Sequence, residues 1–170
     1  MKHVGNFEIT SGNIVISDPC YGLGKSLGAE LPALKGSWRF YTESSGPTAS
    51  LMYICHEDHD NSSEGMPAIF HELHEIGGLG VDAGTMTAAD REKYKTIPNN
   101  THEGWLGFCK EVLFVNKFPA FVHDDMVFSQ TGYGDGVYEA RGCLKESGEL
   151  VEAIVLFVDN CGVFAEESER

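Results

Sequence analysis

Three short segments of this chain set an aspartate among residues that force the backbone to turn. They are Ser17-Asp18-Pro19-Cys20-Tyr21, Gly80-Val81-Asp82-Ala83-Gly84 and Thr131-Gly132-Tyr133-Gly134-Asp135-Gly136-Val137-Tyr138. Each follows or opens a run that reads as a β-strand. Glycine admits positive φ or close backbone approach, and proline fixes φ. Each carboxylate is therefore expected where a strand meets a tight turn, and a chain punctuated this way folds from short strands.

The remaining strand signals agree. Asn13–Ser17 is a β-branched run entering the Asp18-Pro19 turn, and Gly22 to Leu34 is dotted with glycine and reads as loop. Ser37–Tyr41 and Ala49–Cys55 read as partners across Ser44-Ser45-Gly46-Pro47. Val137–Leu144 and Val151–Val158 form a hairpin closed by Glu146-Ser147-Gly148-Glu149. The return strand is apolar throughout except for Glu152, which predicts a central strand buried on both faces. Helix signals are sparse. Thr87-Ala88-Ala89-Asp90 has a capping-box pattern with Thr87 as N-cap, predicting a short helix from about Ala88 to Tyr94. His56 to Met66 and Asn99 to Gly104 read as polar loops. Trp105 to Lys117 suits neither period cleanly, and a helix giving way to strand near Val112 is expected. The fold class expected is mainly β: an antiparallel β-sandwich or distorted barrel with one or two short helices, in a single globular domain over residues 1–170.

Charge narrows the partners. The 170 residues carry 12 Lys+Arg against 26 Asp+Glu, a formal net charge of −14. That surface repels a phosphate backbone and anionic lipid, so neither nucleic-acid tracking nor membrane docking is expected. Five cysteines at 20, 55, 109, 143 and 161 form no C-x-x-C pair and are odd in number. They read as the reduced thiols of a cytoplasmic protein. No apolar run is long enough to span a bilayer, and the first residues lack the h-region of a signal peptide.

The order and spacing of the three aspartate motifs resemble the bacterial and phage-borne DUF4241 family, a family of unknown function. The matching stretches are Ser11 through Pro19, Val81-Asp82-Ala83-Gly84, Gly132 through Tyr138 and Gly148 through Ile154, so the resemblance covers about residues 11–159. It implies a compact β-rich fold and carries over no catalytic residue.

The residues themselves support two functional readings. In the first the protein is a non-enzymatic binding module that holds a small polar molecule or a protein partner. Its ligand-binding candidates are Asp18, Tyr21, Asp82, Tyr133, Asp135 and Tyr138, whose aromatic rings can stack a planar group. In the second, Asp18, Asp82 and Asp135 converge on a divalent cation in a metal-dependent hydrolase, since hard cations take oxygen ligands. The first is preferred, because turn aspartates commonly accept backbone N–H groups and no base, nucleophile or metal motif is complete. No cofactor is expected beyond such a cation. His56/His59 and His71/His74 are H-x-x-H pairs, but neither is H-E-x-x-H. They read as solvated loop residues, with His71 and His74 the weak metal candidates. Cys20 has no base tied to it by any signature, so it is not expected to be a nucleophile.

Overall fold

A computed structural model of the chain describes residues 1–45, 48–59, 72–116 and 119–158. Among these residues eleven strands form two antiparallel sheets. The first sheet holds β1 (Lys2–Ile9), β4 (Gly36–Ser45), β5 (Thr48–His56), β6 (His74–Val81), β10 (Gly136–Leu144) and β11 (Leu150–Leu156) in the order β1-β4-β5-β11-β10-β6. The second holds β2 (Asn13–Ser17), β3 (Ala29–Pro32), β7 (Thr85–Asp90), β8 (Ala120–His123) and β9 (Met126–Gln130) in the order β3-β2-β7-β9-β8. Two helices follow β7: α1 (Arg91–Tyr94) and α2 (His102–Phe108). Of the two β architectures expected, the sandwich is the one found; each sheet is open, with two edge strands.

Strand alternation builds the layers. Ile14 and Ile16 of β2, Met86 and Ala88 of β7 and Val127 of β9 point inward. They meet Phe7, Trp38, Phe40, Ile54, Ala153 and Val155 of the first sheet in the main core. The intervening residues Val15, Ala89, Met126 and Phe128 point outward and are covered by Tyr94, Ile97, Phe108 and Val112. Both faces of the second sheet are thus buried, and at roughly 1.5–3 kcal/mol per buried large apolar side chain this packing dominates the fold's stability.

Both predicted hairpins are present, β4 with β5 and β10 with β11. β11 lies between β5 and β10, and Leu150 through Val155 are all buried. Other readings need correction. Thr87 is not an N-cap. It lies within β7, and its hydroxyl donates to the Val127 carbonyl at 2.7 Å across the sheet. The helix starts later, at Arg91, with Asp90 capping it by accepting the Glu92 N–H at 2.8 Å. The small side chains of Ala88 and Ala89 suit a crowded strand as well as a helix, and sheet burial decides between them. α2 starts at His102, inside the segment read as a polar loop, with Thr101 as its N-cap. After Phe108 it does not become a strand; it widens into a π-helical turn over Cys109–Leu113, closed by the Phe114 N–H donating to the Cys109 carbonyl at 2.8 Å. The extra residue in that turn displaces the apolar face, so no single period fits the segment. The loop assigned to Gly22–Leu34 contains β3, a four-residue edge strand. β1 and β8, which carried no strong strand signal, gain theirs from pairing with β4 and β9.

Candidate functional site

The three aspartate turns meet at one end of the sandwich. β2 delivers Asp18 into the interior, where it is fully buried. Its Oδ1 accepts the Cys20 N–H at 2.8 Å, an Asx-turn that shapes the first motif. Its Oδ2 reaches the second motif and accepts the N–H groups of Asp82 at 2.6 Å and Ala83 at 2.9 Å. The next N–H in line, from Gly84, donates to Oδ1 of Asp135 in the third motif at 3.0 Å. Three successive backbone N–H groups form an anion-binding concavity, and two carboxylates of the chain itself occupy it. The Asp82 carboxylate in return accepts the Tyr21 hydroxyl. The turns are tied together in both directions.

Neighbouring side chains lock the first and third motifs. The Tyr94 hydroxyl, from α1, lies 2.8 Å from the Asp18 carbonyl and 2.6 Å from that of Tyr21. Asn99 donates to the carbonyls of Pro19 and Tyr21. In the third motif Thr131 and Tyr138 both donate to the Gly134 carbonyl, and Gly134 sits at φ +83°, a left-handed conformation that favours glycine. Gly132 is required for space: a Cβ there would lie 2.9 Å from the Ala49 carbonyl oxygen.

These contacts set the chemistry. Burial, and then the hydrogen bond and charge of Asp18, push the Cys20 thiol far above its ordinary range, so it stays protonated. The hydrogen bond to Asp82, reinforced by that carboxylate's charge, pushes Tyr21 up to about 12. Burial pushes Tyr94 up to about 12 as well. The hub therefore contains neutral donors and an engaged, buried carboxylate. It has the character of a clamp.

The structure brings together Asp18, Tyr21, Asp82 and Asp135 of the sequence-derived candidates. Tyr138 stands beside them but is buried, its ring edge-on to Phe157 at 5.4 Å. Tyr133 stands apart, 70% exposed. His74 lies exposed on the edge strand β6 opposite Gly142, and His71 lies outside the described residues. His56 is buried, with Nε2 2.9 Å from the Lys35 carbonyl, so it is no solvated loop residue.

Among the described residues two clefts of several hundred Å³ flank the hub. One, of about 370 Å³, opens between the π-helical turn and the second and third motifs. Trp105, Leu113, Phe114 and Phe121 line its apolar side, with Thr85, Gln130, Thr131 and the 83–84 backbone opposite. Its aromatic wall continues inward. Trp105 stacks on Phe108 at 5.8 Å, Phe108 meets Phe128 at 5.9 Å, and Phe121 stacks on Phe128 at 5.2 Å. The other cleft, of about 390 Å³, is lined by Tyr21, Lys25, Leu27, Asp82 and Val137. The aromatic cleft was not legible in sequence, because it depends on the π-helical turn bringing Leu113 and Phe114 beside Phe121.

Ligand types for a metal come together elsewhere. Among the described residues, the one set of three whose donor atoms all lie within 4.8 Å of one another is His59, Cys143 and Glu152, and the three aspartates do not form such a set. His59 Nε2 lies 2.9 Å from Glu152 Oε2, and Glu152 is 1% exposed. Burial, and then the Glu152 charge, raise the Cys143 pKa. The sequence signal was the single carboxylate in the apolar strand β11.

Among the described residues no helix is long and apolar enough to cross a membrane. Compared with protein-family models, curated proteins and solved structures, the chain gives no significant match to any of them.

Proposed function

We propose that the protein is a non-enzymatic binding module that holds an uncharged, planar small molecule in the aromatic cleft beside the aspartate hub. The observation that carries this reading is the π-helical turn Cys109–Leu113, which supplies Cys109 and Leu113 to the cleft and precedes Phe114 at its edge. Such turns sacrifice regular helix geometry and recur at functional positions. The volume, about 370 Å³, lies in the range of small-ligand sites. Among the described residues no charged side chain lines the cleft, so nothing there pairs with a charged ligand of either sign, and a net charge of −14 further discourages anions. The aromatic wall stacks it and Gln130 orients it through hydrogen bonds, while the 83–84 backbone, its N–H groups held by Asp18 and Asp135, walls the site.

On this reading the hub is the scaffold of the cleft. Asp18 and Asp135 fix the 82–84 backbone, and its Ala83–Gly84 part forms one lip of the site. The resemblance to the DUF4241 family belongs to the same proposal, since its three motifs are the turns that meet here. A hydrolase using Asp18, Asp82 and Asp135 would need a cation to displace four backbone N–H groups from two of those carboxylates.

Tryptophan fluorescence tests the proposal. Of the two tryptophans, Trp38 is fully buried in the core, so Trp105 reports on the cleft. Titration with adenine, uridine and indole is expected to give saturable quenching for at least one, abolished by Phe121→Ala. Absence of saturable quenching with all three, or quenching unchanged in Phe121→Ala, contradicts it.

A further inference from the structure

Glu152 occupies the middle of the six-stranded sheet in an otherwise apolar strand, 1% exposed. A carboxylate buried there is costly to desolvate and requires a compensating group. Its Cα is paired with Cys143 on one side and with Cys55 on the other. Directly paired residues project from the same sheet face, so a thiol flanks the carboxylate on each neighbouring strand. His59, just beyond β5, turns back to place Nε2 2.9 Å from Glu152 Oε2. Nitrogen, sulfur and oxygen donors from three separate segments thus meet within 4.8 Å of one another.

We propose that His59, Cys143 and Glu152 form a binding site for Zn²⁺. The donor set selects the metal. Thiolate and imidazole are poor ligands for Ca²⁺ or Mg²⁺ and good ones for Zn²⁺. Metal–ligand bonds of about 2.0–2.3 Å place tetrahedral ligands about 3.3–3.8 Å apart, so closing the set around an ion needs shifts of only about 1 Å. Among the described residues three ligands are supplied, and with water in the fourth position this is the arrangement of open rather than purely structural zinc sites. The site lies on the opposite sheet from the α2 cleft, on the face carrying Leu51, Tyr53 and Ile154, and is independent of the small-molecule proposal.

The test is Co²⁺ titration of the full chain, prepared without a histidine tag, stripped with chelator and kept reduced. Binding of one Co²⁺ per chain is expected, displaced by Zn²⁺, with a thiolate-to-cobalt charge-transfer band in the near ultraviolet. Cys143→Ser removes the band, and His59→Gln weakens binding by about tenfold or more, since even residues that only support a ligand cost that much. Cys20→Ser, in the distant hub, leaves both unchanged. No stoichiometric Co²⁺ binding, a band that persists in folded Cys143→Ser, or a band lost in Cys20→Ser overturns the proposal. His59 is partly exposed, so His59→Gln remains informative even if Cys143→Ser does not fold. Unchanged affinity in His59→Gln overturns the proposal by itself.

Discussion

The buried carboxylate of Asp18 accepts the backbone N–H of Asp82 at 2.6 Å, joining two turns that lie 64 residues apart in the chain. The same Oδ2 also takes the Ala83 N–H, and Oδ1 takes that of Cys20. Both oxygens work as acceptors, which an amide cannot reproduce. Asp18→Asn would aim an NH₂ group at a backbone donor and is expected to cost about 2 kcal/mol, with Asp18→Ala costing about 3 kcal/mol.

Asp135 provides the contrast. It is exposed and uses Oδ1 for the Gly84 N–H. Asp135→Asn keeps that acceptor and is expected to change stability by less than about 0.5 kcal/mol, while Asp135→Ala loses about 1 kcal/mol. Urea unfolding of all four variants measures the difference. Equal tolerance of Asn at 18 and 135 would contradict the assigned hydrogen bonds.

Asp90 ties the turn before β2 to the start of α1. Buried between β7 and α1, it accepts the N–H groups of Thr10 at 2.8 Å, Ser11 at 2.7 Å and Glu92 at 2.8 Å. Burial acts to raise its pKa, but the bonds from Ser11, Glu92 and Thr10 outweigh it and hold the carboxyl below the usual range. A depressed folded-state pKa contributes stability that is complete above the unfolded value of about 3.9 and disappears as pH falls through the folded value. The stability gap between wild type and Asp90→Asn is therefore expected to be constant from neutral pH down to about pH 5 and to narrow below about pH 4. A gap that widens on acidification would be wrong in sign.

Tyr21 carries a spectroscopic signature of its contact with Asp82. The hydrogen bond to that carboxylate, and then its charge, push the hydroxyl's pKa up to about 12. Removing the charge in Asp82→Asn is expected to bring it toward the ordinary value of about 10. Ultraviolet absorbance of tyrosinate, taken as the difference from Tyr21→Phe, reads this directly. An unshifted titration in Asp82→Asn would mean that the contact is not kept in solution.

Gly132 tests the crowding in the third motif. A methyl group at this position meets Val158 and the Ala49 carbonyl oxygen. Gly132→Ala is expected to destabilise the protein by about 1–3 kcal/mol, the usual cost of overpacking. A neutral effect in thermal unfolding would show that the turn has room to relax.

Much of the fold could be read from local signals. Ile14 and Ile16 alternate across a strand, and the apolar run broken by Glu152 marks a strand covered on both faces. Thr87 misled because a capping box and a strand threonine share one local pattern; only the Val127 carbonyl on a strand far along the chain separates them. The aspartates were recognisable as turn residues, but their partners were not. Asp18 and Asp82 become neighbours through sheet packing, which no local spacing encodes. The cleft was less legible still, since it depends on the one extra residue in the π-helical turn before Phe114. Cys143 and Glu152 share a hairpin that was legible, but His59 joins them only because β5 lies beside β11.

Amide chemical-shift mapping with adenine, uridine and indole tests the binding proposal most directly, because it distinguishes the two clefts flanking the hub. Saturable shifts are predicted at residues 83–85, 105–114 and 130–131, with the Asp82 and Ala83 amides remaining hydrogen-bonded to Asp18. Shifts confined to Tyr21, Lys25, Leu27 and Val137, or no saturable shift with any of the three, would contradict the account.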